Sequence, residues 1–237
     1  MPNNWFRFKK FIIRQDKTAM KVGTDGVLLG AWIPVSGAQR ILDIGTGTGL
    51  LALMLAQRCD AEIDAIEIDD EAASQASENV LESEWSGRIK VIQTSFQDYC
   101  RISEVKYDLL VCNPPFFSKS LKAKTESRSL ARHNDQLSPY ALISGAIKLL
   151  NPNGHLCLIL PAGDESLFIS LAKEHGLFPS KILRIRPDSG KPFKRILIDF
   201  IFSECLPQEA EMTIETGQRH NYSEEYINLT RDFYYNM

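Results

Sequence analysis

From Arg40 onward, short apolar runs alternate with stretches of helical periodicity. Arg40–Ile44 (RILDI) predicts a strand, and the TGLLALMLAQR that follows spaces its apolar residues as a helix does. Glu62–Ile68 predicts a second strand, Asp70–Glu82 a helix and Ile89–Gln93 a third strand. Tyr107–Cys112 (YDLLVC) is almost continuously apolar, as expected of a strand covered on both faces. Ser138–Leu150 predicts a helix ended by Asn151-Pro152-Asn153-Gly154. His155–Leu160 follows as a fifth strand, then a helix over about Asp164–His175 and two β-rich segments around 180–186 and 195–203. Alternating β and α units imply an α/β fold, a mostly parallel sheet with helices on both faces. At 237 residues the chain reads as one domain with extensions. These are an N-terminal segment over 1–39, a core over 40–205 and an extension over 206–237 that belongs to the same domain. The extension is polar, acidic and then aromatic, and its pattern assigns no element.

Composition narrows the class. Hydrophobic residues make up 44% and charged residues 24%, ordinary for a globular chain. No apolar run approaches the ~20 residues that span a bilayer, and charges interrupt the N-terminal apolar patch, so neither a membrane span nor a signal peptide is expected. Five scattered cysteines without a C-x-x-C predict reduced thiols, a cytoplasmic setting and no zinc site; the histidines share no metal-ligand spacing. The net charge is −3, yet cations cluster in residues 1–21, 117–133 and 181–195. These segments form either one phosphate-binding face on an acidic body or three separate solvated surfaces.

The chemistry begins at Asp43-Ile44-Gly45-Thr46-Gly47-Thr48-Gly49, between the first core strand and its helix. Glycines there let the backbone turn sharply and approach a ligand, at the strand ends where open α/β sheets bind ligands. Leu50 stands where a dinucleotide fingerprint needs its third glycine, which disfavours a pyrophosphate cofactor and an NAD dehydrogenase. Asp43 suits a cationic ligand such as a sulfonium carrying an amino group. Glu67, about 20 residues after the loop, is placed to accept hydrogen bonds from ribose hydroxyls.

Asn113-Pro114-Pro115-Phe116 follows the fourth core strand directly. An exocyclic amine on a base is a poor nucleophile because its lone pair is delocalised. Accepting one N–H at the Asn113 side-chain oxygen and the other at the Pro114 carbonyl favours a pyramidal nitrogen and frees that pair. Phe116 or Phe117 would stack on the ring, worth ~1–3 kcal/mol. In an arbitrary sequence the tetrapeptide would read as a stiff turn; after this strand and beside this loop it reads as catalytic.

The combination of DIGTGTG with IEID resembles the class I, Rossmann-like S-adenosylmethionine methyltransferases. The resemblance implies a seven-stranded, mostly parallel sheet. It implies Gly45, Gly47 and Gly49 along the methionine part of the cofactor, Glu67 on the ribose, and Asn113 serving both cofactor site and catalysis. The usual aspartate after the third strand is replaced by Ser95, so the cofactor adenine falls to Ser95, Phe96 or Asp98. The N-terminal FRFKKFIIRQDKTAMKVGTDGVLLGAW, and Arg132-His133 after the catalytic turn, resemble the bacterial tRNA(Val) adenine-37 N6-methyltransferases. That likeness implies S-adenosylmethionine as cofactor and tRNA as substrate, without a metal or an obligate protein partner. It brings Thr24, Asp25 and Gly26 to the methionine end of the cofactor. Lys119, Arg132 and His133 become candidate RNA contacts. The interleaved WFRFKKFI suits phosphates and unpaired bases, or else packs its aromatics on the core. Asn-Pro-Pro-Phe also serves guanine-N2 and glutamine-N5 transfer, and a non-catalytic RNA-binding factor of the same fold is the alternative outside enzymes. The 39 residues ahead of the core leave no room for the added helical domain of release-factor enzymes.

Overall fold

The computed structural model describes residues 3–18, 20–114, 137–217 and 219–235. Strands β1 (Trp5–Arg7) and β2 (Ile12–Arg14) pair as an antiparallel hairpin, and α1 (Thr24–Trp32) follows. The core then runs β3 (Arg40–Ile44), α2 (Leu50–Arg58), β4 (Glu62–Glu67), α3 (Asp70–Leu81), β5 (Ile89–Gln93), α4 (Phe96–Ile102) and β6 (Tyr107–Cys112). After the undescribed stretch come α5 (Pro139–Leu149), β7 (Leu150–Pro161), α6 (Glu165–Glu174), β8 (Phe178–Asp188), β9 (Arg195–Ile201), β10 (Gln208–Glu215) and α7 (Glu224–Thr230).

The main sheet has the order β10-β8-β9-β7-β6-β3-β4-β5. Strands β3 to β7 are parallel to their neighbours, and β9 inserts antiparallel between β7 and β8. Seven of these strands match the expected sheet. The eighth, β10, adds to the β8 edge from the unassigned tail. Its alternation is hard to read because its outward positions are acidic: Glu209 pairs with Arg184 at 2.6 Å, and Glu211 with Arg186. Those contacts neutralise the middle of the basic 181–195 segment. Asn151–Gly154 leaves the β6–β7 ladder between the pairs Tyr107–Leu150 and Leu109–His155, as a Pro-Gly stretch must.

Alternate strand residues feed two cores, one on each face of the sheet. One holds Ile41, Ile63, Leu109, Ile159 and Leu197 beneath α1, α2 and the N-terminal aromatics. The other holds Leu42, Ile66, Leu110, Leu158 and Ile198 beneath α4, α5 and α6. Phe8, 1% exposed, stacks on Phe11 at 4.7 Å and on Tyr234 at 5.8 Å between ring centroids. Of the two readings of WFRFKKFI, core packing therefore holds for Phe6, Phe8 and Phe11, and the chain's two ends close on each other there.

Candidate active site

Register places the site. Ile44 pairs with Ile66 on one side and Cys112 on the other. The next residues, Gly45, Glu67 and Asn113, therefore leave three adjacent strands side by side at their carboxyl ends, on strands spaced about 4.8 Å apart. Gly45, Gly47 and Gly49 all have positive φ, at 72°, 58° and 82°. A Cβ on Gly45 or Gly47 would meet nothing within 4 Å, so open space faces the loop where it turns. Gly49 in turn caps α2.

Asp43 lies under that loop and is fully buried. Its Oδ2 accepts from the Thr46 hydroxyl at 2.5 Å and the Ala52 N–H at 3.2 Å, while its buried Oδ1 has no partner. Burial pushes the carboxyl up to about 7, against the two hydrogen bonds that lower it. Glu67 is held by backbone: Oε2 accepts from Gly47 N–H at 2.9 Å, and Oε1 from Ile68 and Asp69 at 2.9 and 3.0 Å. Asn113 is half-buried one residue past β6, and Pro114 is buried. Phe116, Phe117, Lys119, Arg132 and His133 lie outside the described residues.

The segment after β5 spends its side chains locally. Ser95 caps α4, its Oγ accepting from Asp98 N–H at 3.0 Å and donating to the Asp98 carboxylate at 2.8 Å. Asp98 also meets Arg101 at 2.7 Å. The Phe96 ring is buried against α5, where it leaves no room for a Cβ on Gly145. Phe96 thus faces the core and Ser95 stays at the carboxyl edge.

Thr24, Asp25 and Gly26 form the first turn of α1, beside the start of α2. A Cβ on Gly26 would lie 2.9 Å from Leu50, and one on Gly30 2.7 Å from Met54. The two glycines, four residues apart, let α1 lie directly on α2 and set its first turn against the loop. Asp25 accepts from Arg195 Nε at 2.7 Å, tying that turn to the start of β9. Gly26 therefore has a helix-packing role beside the cofactor contact expected of it, one signalled by the G-x-x-x-G spacing but not read from it.

Sequence reading also missed two amides on α3. Asn79 is 1% exposed. Its Nδ2 donates to the Thr48 carbonyl at 2.8 Å and the Arg14 carbonyl at 2.9 Å, and its Oδ1 accepts from Arg14 N–H at 2.8 Å. Gln75, one turn earlier, accepts from Lys17 N–H at 3.0 Å. One helix face thus fastens the glycine loop to the N-terminal segment. The signal was two amides at i, i+4 within an alanine-rich stripe, where a helix interior does not favour asparagine.

A family model described as methyltransferase small domain matches residues 19–163. The chain belongs to that family. In this methyltransferase small domain the matched span runs from before α1 through the glycine loop, Glu67 and Asn113 to just past β7. Along its whole length the chain is 49% identical over 238 residues to a Bacteroides fragilis protein named tRNA1(Val) (adenine(37)-N6)-methyltransferase, with 100% of each chain covered. A Trichodesmium erythraeum protein of the same name is 49% identical over 237 residues, with 99% of each covered. The fold matches that of a predicted O-methyltransferase, Atu636 from Agrobacterium tumefaciens, with a TM-score of 0.67 and 20% identity, covering 88% of this chain and 96% of that one.

Proposed function

We propose that this methyltransferase uses S-adenosylmethionine to methylate N6 of adenine 37 in tRNA1(Val), in the cytoplasm. The observation that carries the reading is the placement of Asn113 next to the glycine loop, in a chain that aligns end to end with relatives named for that reaction. The residues present fit the cofactor. The unpartnered Asp43 Oδ1 is an acceptor beneath the loop, suited to the positive methionine end. The open positive-φ glycines admit a ligand against backbone. Glu67 uses three of a carboxylate's about four acceptor positions on backbone N–H groups. One position remains for a ribose hydroxyl, and a second hydroxyl would displace the Gly47 N–H.

When bound, S-adenosylmethionine supplies an electrophilic methyl group on a sulfonium. The protein's part is to present the acceptor nitrogen. The Asn113 amide oxygen takes one N–H of the adenine amine and the Pro114 carbonyl takes the other, which turns the nitrogen lone pair out of conjugation. Phe116 or Phe117 would stack on the ring and fix its distance. No general base is required, since the proton leaves after the nitrogen has become cationic. Rate comes from positioning and exclusion of water around the half-buried Asn113. An adenine held in a stack cannot reach this turn, so the target base is presented unstacked.

The test offers the purified protein labelled S-adenosylmethionine with three acceptors: unmodified tRNA1(Val), ribosomal RNA fragments and a release-factor domain. N6-methyladenosine in the tRNA alone is expected. Methylguanosine in ribosomal RNA, or methylglutamine in the protein, would overturn the substrate.

A further inference from the structure

The N-terminal hairpin splits its residues cleanly. Phe6 and Ile13 turn inward to the core, while the pairs Trp5–Arg14 and Arg7–Ile12 put those four side chains on the outer face. Trp5 is 54% exposed and Ile12 44%. The ten residues from Trp5 to Arg14 carry Arg7, Lys9, Lys10 and Arg14 and no acid. Arg7 lies over the Tyr235 ring, 5.2 Å from its centroid. Beneath the hairpin tip is a cavity of about 240 Å³, whose lining includes Arg7, Lys10 and Tyr235. Arg14 meets Glu82 at 3.0 Å, but both side chains are more than half exposed. Nε also reaches both Glu82 oxygens at 3.1 Å, so Arg14 is held in a bidentate pair, and Arg7 and Lys10 are the cations this face offers to phosphates.

Burying the aromatics Phe6 and Phe8 explains them; it leaves Trp5 unexplained. A large indole kept in water among cations is a poor surface for an apolar protein partner. It is a good one for a polyanion whose bases can stack. The hairpin is also coupled to the chemistry, because the Asn79 side chain that holds Arg14 also holds Thr48 in the cofactor loop.

We propose that the outer face of this hairpin is an RNA-docking surface, with Arg7 and Lys10 on backbone phosphates and Trp5 stacked on an exposed base, remote from the methylated adenine. The inference rests on tRNA being the substrate.

Its test compares the full-length protein with Trp5→Ala, with Arg7→Gln/Lys10→Gln, and with Lys173→Gln, an exposed lysine on the opposite helical face, as control. The KM for unmodified tRNA, the KM for S-adenosylmethionine and kcat are measured across a salt series. Thermal melting of each variant establishes that it folds. For both hairpin variants the KM for tRNA should rise about tenfold, with kcat and the cofactor KM unchanged. The double variant should also flatten the log–log salt dependence by about 1.5, at ~0.7–0.9 per lost phosphate contact. An unchanged KM for tRNA in folded variants, with the wild type active, would overturn the docking surface and leave the function standing. A wild-type dimer that Trp5→Ala converts to monomer, with tRNA kinetics unchanged, would assign the face to a second copy and overturn it as well. A wild type inactive on tRNA would bring down both readings.

Discussion

The two edges of the sheet treat their carboxylates in opposite ways. Near the amino edge Asp199 and Asp108 are both well supplied with partners. Asp199, fully buried, accepts from His155 Nδ1 at 2.8 Å and the Ser180 hydroxyl at 2.6 Å. Asp108 accepts from the N–H groups of Gln39 and Arg40 and from Asn151, at 2.9, 3.0 and 2.7 Å. Burial pushes Asp108 up, and those bonds outweigh it, so its carboxyl sits below the usual range. The Asp199 carboxylate correspondingly holds the His155 imidazole above its ordinary value. At the carboxyl edge Asp43 is just as buried, yet one oxygen stays unpartnered and its pKa moves the other way. Saturated groups hold a fold together; the open oxygen of Asp43 is set apart by its place beneath the glycine loop.

Variants at the two edges should therefore fail differently. Asp199→Ala strands His155 and Ser180 without their acceptor and should cost about 3–4 kcal/mol of stability, while turnover per folded molecule holds. Denaturant unfolding paired with active-site titration checks this, and a specific loss of kcat at full stability would break the contrast. Asn79→Ala sits between the edges and should do both. It leaves the Thr48 and Arg14 groups unsatisfied at about 3 kcal/mol, and it raises the KM for S-adenosylmethionine with kcat nearly intact. Gly47→Ala forces a Cβ onto a φ of 58°. That strain, ~1–2 kcal/mol, should fall on the loop and weaken cofactor binding about tenfold, read by calorimetry.

The smallest effect is a pH dependence. Asp43 is pushed up to about 7, so its anionic form, which a cationic ligand needs, grows as pH rises through that value. Cofactor affinity should improve between pH 6 and 8 by at most about tenfold, the ratio of competent fractions. Asp43→Asn should flatten the profile; an equally steep profile in that variant would assign the titration elsewhere.

What could be read from the sequence was whatever is fixed by local backbone demand. Gly45, Gly47 and Gly49 announce themselves because their φ values exclude most side chains. Asn113 follows a strand whose apolar run ends at Cys112, and Glu67 closes β4 one residue short of the end its pattern predicts. What escaped was set by partners distant in sequence. Strand β10 exists because its glutamates meet Arg184 and Arg186 of β8, and its own pattern is too charged to show it. Helix α4 is only seven residues long and starts at Phe96, directly after Ser95. Gly26 is also the place where Leu50 packs, which shows only once α1 is folded onto α2. Asn79 gains meaning only when Arg14 and Thr48 are folded against it.

The proposed function depends on the turn after β6 performing the transfer. Its direct test is single-turnover methylation of unmodified tRNA1(Val) by the wild type and by Asn113→Ala. Cofactor binding is measured in parallel, and the modified position is read by mass spectrometry. The wild type should give N6-methyladenosine at position 37. In the variant the rate should fall at least about a hundredfold, comparable to losing one preorganised transition-state hydrogen bond, while the cofactor still binds. A variant that transfers methyl at the wild-type rate would contradict it.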